Sequence, residues 1–242
     1  MRLDVYLVDA ALVDSRTDAK NFILGGAVYV NGKAVKKPAF EVSGNEEITV
    51  DKSSKKYVSR GGLKLEAALD KFSIDVSGAL AIDVGASSGG FTDCLLKRGV
   101  KRVLAVDSGS GQLVQSIRTD SRVSVYENFN ARYMSSTDFD YAPNLAVMDV
   151  SFISAKLIIP AVSTVLSPEG RFVCLIKPQF EVGRSGLNKK GIVKNEDLRR
   201  KAVNEVVESA LLCGFMLMGL MESPIVGGDG NIEYLAYFTK NN

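Results

Sequence analysis

Two acidic residues stand near the ends of consecutive apolar segments, and a run of small residues follows the first of them. Asp83 precedes residues 85–90, which read Gly-Ala-Ser-Ser-Gly-Gly, and Asp107 ends the next apolar segment. A strand, a glycine-rich loop and a helix in this order hold a ligand at the carboxyl end of a parallel sheet, because glycine lets the backbone approach closely. A carboxylate on the next strand can accept hydrogen bonds from the two hydroxyls of a ribose. The pattern predicts a site for an adenosine-type cofactor.

The loop also indicates which cofactor to expect. It lacks the Gly-x-Gly-x-x-Gly order of dinucleotide sites and the Lys-Ser/Thr pair of a P-loop. S-adenosyl-L-methionine fits better, because it has no phosphate and its methionine end carries both an ammonium and a carboxylate. An ordinary strand–helix turn would explain the glycines alone, whereas the two carboxylates favour the cofactor. The predicted cofactor-binding residues are Asp83, Gly85, Ala86, Ser87, Gly89, Gly90, Phe91, Asp107, Glu127 and Asn128.

Within this set, Asp107 is expected to hold the ribose and residues 127–129 to flank the adenine. Glu127 could equally be a strand end that faces solvent.

Four further ionisable residues fall at the ends of predicted elements. Lys64 opens a helix, Asp149 and Lys177 end strands, and Glu233 begins the last strand. Parallel strands present their carboxyl ends to one edge of the sheet, and an antiparallel last strand brings its beginning to that edge. Lysine is rarely buried without a partner, and Lys177 follows a largely apolar segment. A strand-end lysine that reaches solvent is the alternative, but the position favours a catalytic role.

The composition excludes several classes of enzyme. The chain of 242 residues contains no histidine, so a Ser-His-Asp hydrolase and a histidine-ligated metal site are both ruled out. Its three cysteines lack the spacing of a metal site, and no metal is expected. No apolar run approaches the roughly 20 residues that span a bilayer, and no signal peptide is evident. A cytoplasmic protein without membrane contact is expected.

The elements that must position these residues alternate between strands and helices from residue 59 onward. Strands are predicted at 80–84, 103–107, 123–127, 145–150, 171–177, 216–221 and 234–238, with helical segments at 154–166 and 196–213 among them. Alternation of this kind is typical of a parallel sheet covered by helices on both faces. The last two strands are joined by a loop too short for a helix, so they are expected to pair antiparallel.

Residues 1–50 form a separate small unit in this interpretation. Ser15 and Asp18 resemble a capping box that begins a helix, and Asn31-Gly32 predicts a tight hairpin between two short strands. The polar residues 51–58 are interpreted as a linker, and residues 59–242 as the second domain.

The sequence from Arg2-Leu3-Asp4 to Asn31-Gly32-Lys33 resembles the alpha-L RNA-binding motif. The resemblance implies phosphate contacts by basic side chains, although residues 1–50 carry six basic and seven acidic residues in total. Two basic regions of the second domain, one around Arg60 and one in a predicted flexible substrate loop at 183–191, would add further contacts. The predicted RNA-binding residues are Arg2, Arg16, Lys20, Lys33, Lys36, Lys37, Arg60, Arg184, Lys189 and Lys190.

Five longer motifs occur in one order along the second domain. They read Ser-Arg-Gly-Gly-Leu-Lys-Leu, Asp-Val-Gly-Ala-Ser-Ser-Gly-Gly-Phe-Thr-Asp-Cys-Leu, Met-Asp-Val-Ser-Phe-Ile-Ser, Leu-Ile-Lys-Pro-Gln-Phe-Glu and Gly-Asn-Ile-Glu-Tyr-Leu. Together they resemble the TlyA family, the hemolysin-like relatives of the FtsJ ribosomal RNA 2′-O-methyltransferases, over nearly the whole chain.

This resemblance implies a Rossmann-like α/β methyltransferase sheet with a small α+β RNA-binding domain before it. It implies a catalytic Lys-Asp-Lys-Glu set at Lys64, Asp149, Lys177 and Glu233, with S-adenosyl-L-methionine as methyl donor. It also implies ribosomal RNA or ribosomal subunits as partner and the 2′-hydroxyl of a cytidine ribose as target. Our hypothesis makes Lys177 the base, with the two carboxylates orienting the two lysines.

Three alternatives remain open. Asp149-Val150-Ser151-Phe152 is distantly similar to the Asp-Pro-Pro-aromatic signature of amino-methylating enzymes, although the prolines are missing. The hemolysin name of relatives suggests a membrane-active protein, and a retained fold without activity would make the chain a non-catalytic RNA-binding protein.

Overall fold

The computed structural model describes residues 1–13, 15–51 and 56–241, apart from the side chain of Thr17. The chain divides into two compact units, Met1–Lys56 and Tyr57–Asn242. The division falls within the predicted linker 51–58, of which residues 52–55 lie outside the described residues.

The first unit combines two helices with a small antiparallel sheet. Ser15 caps the second helix, because its hydroxyl accepts a hydrogen bond of 3.1 Å from the backbone N–H of Asp18. Asn31 and Gly32 have φ values of 48° and 74°, as a two-residue hairpin turn requires. The sheet order is β2-β1-β3. The elements are α1 (Leu3–Asp9), α2 (Arg16–Leu24), β1 (Val28–Val30), β2 (Lys33–Ala34) and β3 (Ile48–Val50).

The second unit is built on a sheet of seven strands. The strands are β4 (Leu80–Val84), β5 (Arg102–Val106), β6 (Val123–Tyr126), β7 (Leu145–Met148), β8 (Arg171–Ile176), β9 (Phe215–Glu222) and β10 (Tyr234–Lys240). Their order is β6-β5-β4-β7-β8-β10-β9. The first five strands in this order pair in parallel, while β10 is antiparallel to both of its neighbours. The expected antiparallel pairing of the last two strands is therefore present.

Helices cover this sheet on both faces. They are α3 (Gly61–Lys71), α4 (Gly90–Lys97), α5 (Gln115–Arg118), α6 (Ile159–Val165), α7 (Pro178–Glu181) and α8 (Glu196–Leu212). Ile82, Leu104 and Phe172 pack in one buried apolar cluster, whereas Ala81 and Val103 pack in another. Because neighbouring strand residues point to opposite faces, each strand contributes to both clusters.

The predicted helical segment 154–166 differs from the structure. It divides into a 3₁₀ turn, Ala155–Leu157, and the shorter helix α6. Pro160 has no N–H to donate and its ring excludes a preceding helical turn, so it lies in the first turn of α6. Among the described residues, no helix has the length and apolar character to cross a membrane.

Candidate active site

Asp149 and Lys177 meet at the carboxyl edge of the sheet. Asp149 directly follows β7 and Lys177 directly follows β8, and these strands are parallel neighbours. The Lys177 ammonium lies 2.6 Å from Oδ1 of Asp149. It also donates a hydrogen bond of 2.7 Å to the hydroxyl of Ser151. The Ser151 hydroxyl thus fixes one of the three N–H directions of this ammonium, and the Asp149 carboxylate pairs with its charge.

Lys64 and Glu233 form a second ion pair. Nζ of Lys64, in the first turns of α3, lies 2.5 Å from Oε2 of Glu233, and both residues are buried. Tyr234 pairs with Ile176 in β8, so Glu233 stands one step further along, next to the position of Lys177. The insertion of β10 beside β8 therefore delivers the carboxylate to the same edge.

Two contacts join the pairs into one site. Gln179, two residues after Lys177, donates a hydrogen bond of 3.3 Å from Nε2 to Oε1 of Glu233. A β-carbon built on Gly61, at the start of α3, would lie 3.8 Å from Oδ2 of Asp149. The structure brings all four predicted catalytic residues together.

Ser151 and Gln179 were not predicted to be part of the site, nor was Gly227. A β-carbon on Gly227 would lie 2.5 Å from Oε1 of Glu233, so a side chain there would displace this carboxylate from its position. Ser151 and Gln179 stand in the same short motifs as Asp149 and Lys177, and that adjacency was the available signal.

A cavity of about 440 Å³ opens beside these residues at the ends of β4, β5 and β7. Its size lies in the usual range for small-molecule sites. The lining residues are Val84, Gly85, Ser87, Val106, Asp107, Ser108, Gly109, Gln112, Phe129, Asn130, Ala131, Asp149, Val150, Ser151, Phe152, Ile153 and Ile158. The cavity therefore extends from the predicted cofactor loop to the Lys177 contacts.

Gly85 shapes the base of this cavity. Its φ is +87°, and a β-carbon there would lie 2.5 Å from the backbone oxygen of Asp149. Both the conformation and the close approach of the two strand ends require glycine.

Asp107 lies on the cavity wall with its carboxylate held by the backbone. Its Oδ2 accepts a hydrogen bond of 2.7 Å from the N–H of Ser87, and its Oδ1 accepts one of 2.7 Å from the N–H of Gly109. Since a carboxylate offers about four lone-pair directions, capacity remains for two hydroxyl donors. The donor set and the cradle at Gly85 fit the adenosine portion of S-adenosylmethionine.

Asp83 is fully buried and lies in β4, just before the glycine-rich loop. Its Oδ2 accepts a hydrogen bond of 2.7 Å from the Thr92 hydroxyl, which ties β4 to α4. Burial, followed by the nearby charges of Asp149 and Asp107, raises the pKa of Asp83 to about 7. This carboxyl group is therefore placed to brace the glycine loop rather than to face the cavity.

Of the ten predicted cofactor-binding residues, Gly85, Ser87 and Asp107 line the cavity. Asp83 lies in β4, Ala86 and Gly89 lie in the loop without lining the cavity, and Gly90 and Phe91 lie in the first turn of α4. A β-carbon on Gly90 would meet the Ser59 hydroxyl, so this glycine allows close packing against the segment before α3.

Glu127 and Asn128 lie outside the cavity lining, whereas Phe129 is part of it. The Glu127 carboxylate accepts hydrogen bonds from Arg118 and from the N–H of Gly111. Its side chain is thereby directed toward α5, and a direct contact with adenine would require a ligand that extends past this cavity.

The predicted RNA-binding residues occupy both units. All except Arg60, which is half-buried, are exposed. In the first unit Arg2 and Arg16 both donate hydrogen bonds to the buried carboxylate of Asp4. Asp4 thus holds two exposed guanidinium groups side by side.

The predicted substrate loop at 183–191 is tied down by side-chain hydrogen bonds. The buried Asn231 donates to the backbone oxygen of Gly191 and accepts from the N–H of Val193. Asn188 accepts hydrogen bonds from the N–H groups of Lys190 and Ile192. Lys189 and Lys190 therefore lie in a hydrogen-bonded turn. This turn is held by Asn231, which stands two positions before Glu233 in the sequence.

Comparison with known proteins agrees with this geometry. The model of the FtsJ-like methyltransferase family matches residues 57–240, and that of the S4 domain matches residues 1–48. Hemolysin A of Brachyspira hyodysenteriae is 44% identical over 239 residues, which cover 98% of this chain and 99% of the relative. The 16S/23S rRNA (cytidine-2′-O)-methyltransferase TlyA of Mycobacterium tuberculosis is 40% identical over 237 residues, with coverage of 98% and 88%.

A solved structure of a hemolysin-like protein from Streptococcus thermophilus superposes with a TM-score of 0.81 at 42% identity. The match covers 100% of this chain and 89% of that one. The fold and the site define a Rossmann-type methyltransferase whose methyl donor is S-adenosylmethionine. The chain belongs to the FtsJ-like methyltransferase family and carries an S4 domain at its amino end. The expected fold class, cofactor and family resemblance are confirmed.

Proposed function

We propose that this enzyme methylates the 2′-hydroxyl of a cytidine ribose in ribosomal RNA, with Lys64, Asp149, Lys177 and Glu233 as catalytic residues. The observation that carries the proposal is the meeting of two lysine–carboxylate pairs at one edge of the sheet, where Asp149 of one pair also lines the cofactor cavity. Support for the RNA substrate comes from the S4 domain and from the relative named as an rRNA cytidine-2′-O-methyltransferase. A reaction on ribosomal RNA would take place in the cytoplasm.

The chemistry needs a nucleophilic oxygen held in line with a methyl group. S-adenosylmethionine, when bound, supplies that methyl group from a sulfonium. Gly85 and Asp107 would hold the donor, which leaves the Asp149 end of the cavity for the ribose. Correct placement of reacting atoms can contribute about 7–11 kcal/mol to lowering a barrier.

A ribose hydroxyl is a weak nucleophile until its proton is removed or strongly polarised. Lys177 in its neutral amine form can take up this proton, because its Nζ lies beside Asp149 and Ser151, which line the cavity. Asp149 fixes the direction of this amine, and Glu233 does the same for the Lys64 amine. Lys64 adds positive charge that stabilises the developing oxyanion.

The test is identification of the methylated nucleoside. Isolated ribosomal RNA and separate small and large subunits would be incubated with labelled S-adenosylmethionine and the full chain, then digested to nucleosides. Mass fragmentation separates a ribose methyl from a base methyl. We expect 2′-O-methylcytidine from the wild type and none from Lys177→Ala, which should bind S-adenosylhomocysteine normally. A base methyl, or equal single-turnover rates for both proteins, would contradict the proposal.

The same materials address the alternatives. A non-catalytic RNA-binding protein would retain RNA without transferring label, and an amino-methylating enzyme would label the base. Leakage of dye from liposomes at nanomolar protein would favour a membrane-active protein, as the hemolysin name of relatives suggests.

A further inference from the structure

Glu181 is a buried carboxylate that the proposed chemistry does not use. It ends α7, and its side chain is 1% exposed. Its oxygens accept hydrogen bonds of 2.5 Å from the Ser154 hydroxyl and 2.7 Å from the N–H of Ala155. Nζ of Lys156 lies 4.0 Å away. A buried carboxylate is costly unless it is paired, and here its partners come from one loop.

The segment 177–181 runs beside the loop 149–155, and Glu181 makes the last of three contacts between them. The first is the ammonium of Lys177 on Asp149 and Ser151. The second is between the rings of Phe152 and Phe180, whose centroids lie 5.2 Å apart. The segment therefore fastens the loop at both of its ends.

The loop needs such fastening because its backbone is strained. Phe152 has a φ of +63°, a conformation that a bulky residue adopts only when its surroundings impose it. Glu181 meets the N-terminal end of the 3₁₀ turn that follows, where backbone N–H groups lack partners within the turn.

We propose that Glu181 is a positioning residue for methyl transfer. By holding Ser154 and Ala155, it fixes the loop so that Asp149 and Ser151 meet the Lys177 amine at the cavity edge. This inference rests on the proposed function, in which Lys177 acts on the ribose hydroxyl.

The test compares Glu181→Gln with Glu205→Gln in the full chain. Glutamine keeps the size of the side chain but has one acceptor oxygen where glutamate has two. Its NH₂ group would therefore face either the Ser154 hydroxyl or the N–H of Ala155. Glu205 is the control, because it lies on α8 and contacts the same Lys156 at 2.7 Å. We expect kcat to fall about 10- to 100-fold in Glu181→Gln, since misplacement by about 1 Å can cost that much. The KM for RNA and the Kd for S-adenosylhomocysteine should stay within about twofold.

A double-mutant cycle with Ser154→Ala tests the route of the effect. If Glu181 acts through Ser154, the double variant should have the kcat of Glu181→Gln alone. Independent losses, equal losses in Glu205→Gln, or a loss confined to cofactor affinity would overturn the inference.

Hydrogen exchange separates this inference from the proposed function. Amides of residues 150–155 should exchange faster in Glu181→Gln than in the wild type and in Glu205→Gln, whatever the substrate is. Unchanged exchange would refute the anchoring role even in an active enzyme. A wild type without ribose methylation but with the expected exchange pattern would refute only the assigned reaction.

Discussion

The Lys64 ammonium lies 2.5 Å from the Glu233 carboxylate, although the two are 169 positions apart in the sequence. The side chains are 10% and 3% exposed, so both charges have lost most of their hydration. Each charge is stabilised mainly by the other, and removing one leaves the second buried without its partner.

Replacing Lys64 by Met should therefore destabilise the protein by about 3–5 kcal/mol. Adding Glu233→Gln to that variant should recover much of the loss, because the orphaned charge is gone, while methyl transfer stays abolished. Urea unfolding followed by circular dichroism measures both variants. A double variant less stable than Lys64→Met would contradict the assignment of the pair.

Arginine should not replace Lys177. Its guanidinium stays protonated and planar, so it can neither accept a proton nor fit the contacts with Asp149 and Ser151. We expect Lys177→Arg to lower the single-turnover rate by about 10²- to 10⁴-fold, the range for general acid–base groups. Calorimetry with S-adenosylhomocysteine should show an unchanged Kd. A rate within tenfold of wild type would assign Lys177 a purely electrostatic role.

Asp107→Ala should weaken cofactor binding. Hydrogen bonds to a charged acceptor are worth about 1.5–3 kcal/mol, which corresponds to a Kd increase of about 10- to 100-fold. The control is Asp120→Asn, which alters a partly exposed carboxylate paired with Arg122. Equal Kd values for both variants would place the ribose elsewhere.

Gly85→Ala should impair both stability and cofactor binding, because the added methyl would lie 2.5 Å from the backbone oxygen of Asp149. The unfavourable φ alone costs about 1–2 kcal/mol. Gly228→Ala is the control, since no atom lies within 4 Å of its β-carbon position. Melting temperature and cofactor Kd measure the difference, and matching values for the two variants would disprove the close approach.

Asp4 should make the stability of the first unit depend on pH. Its hydrogen bonds from Arg2, with further contributions from Arg16, lower the pKa of Asp4 to about 2 from the usual 3.8. A lowered folded-state pKa means that the stabilisation is complete above about pH 4 and is lost as the pH falls through about 2. Asp4→Asn should therefore destabilise the protein at pH 7 and much less at pH 2. A difference in unfolding free energy independent of pH would refute this linkage.

The sequence predicts the elements that carry their own local signals. Residues 80–84 form β4 as predicted, because a short apolar run bounded by glycine is typical of a buried strand. The Ser15 cap and the Asn31-Gly32 turn also follow from local chemistry. Helix α1 was not predicted. Its buried face includes the charged residue Asp4, whose partners Arg2 and Arg16 lie outside the helix.

The contacts of the site depend on the folded chain. The edge location of Asp149 and Lys177 follows from strand order, but the Ser151 hydrogen bond depends on how the loop folds back. Likewise, the sequence did not predict that the Glu127 carboxylate accepts a hydrogen bond from Arg118, nine positions earlier. A side chain that contacts a different loop or helix leaves no periodic signal in the sequence.

The position of β10 has a consequence for how the enzyme matures. This strand is synthesised after both β8 and β9 and yet inserts between them. Until β10 has been synthesised, β8 and β9 cannot lie in one continuous sheet. Lys64 also lacks its partner Glu233 until then. Glu233 directly precedes the strand that closes the gap, so the sheet and the Lys64–Glu233 ion pair are completed together. If Lys64 and Glu233 act as proposed, a chain in which β10 has not docked should transfer no methyl group.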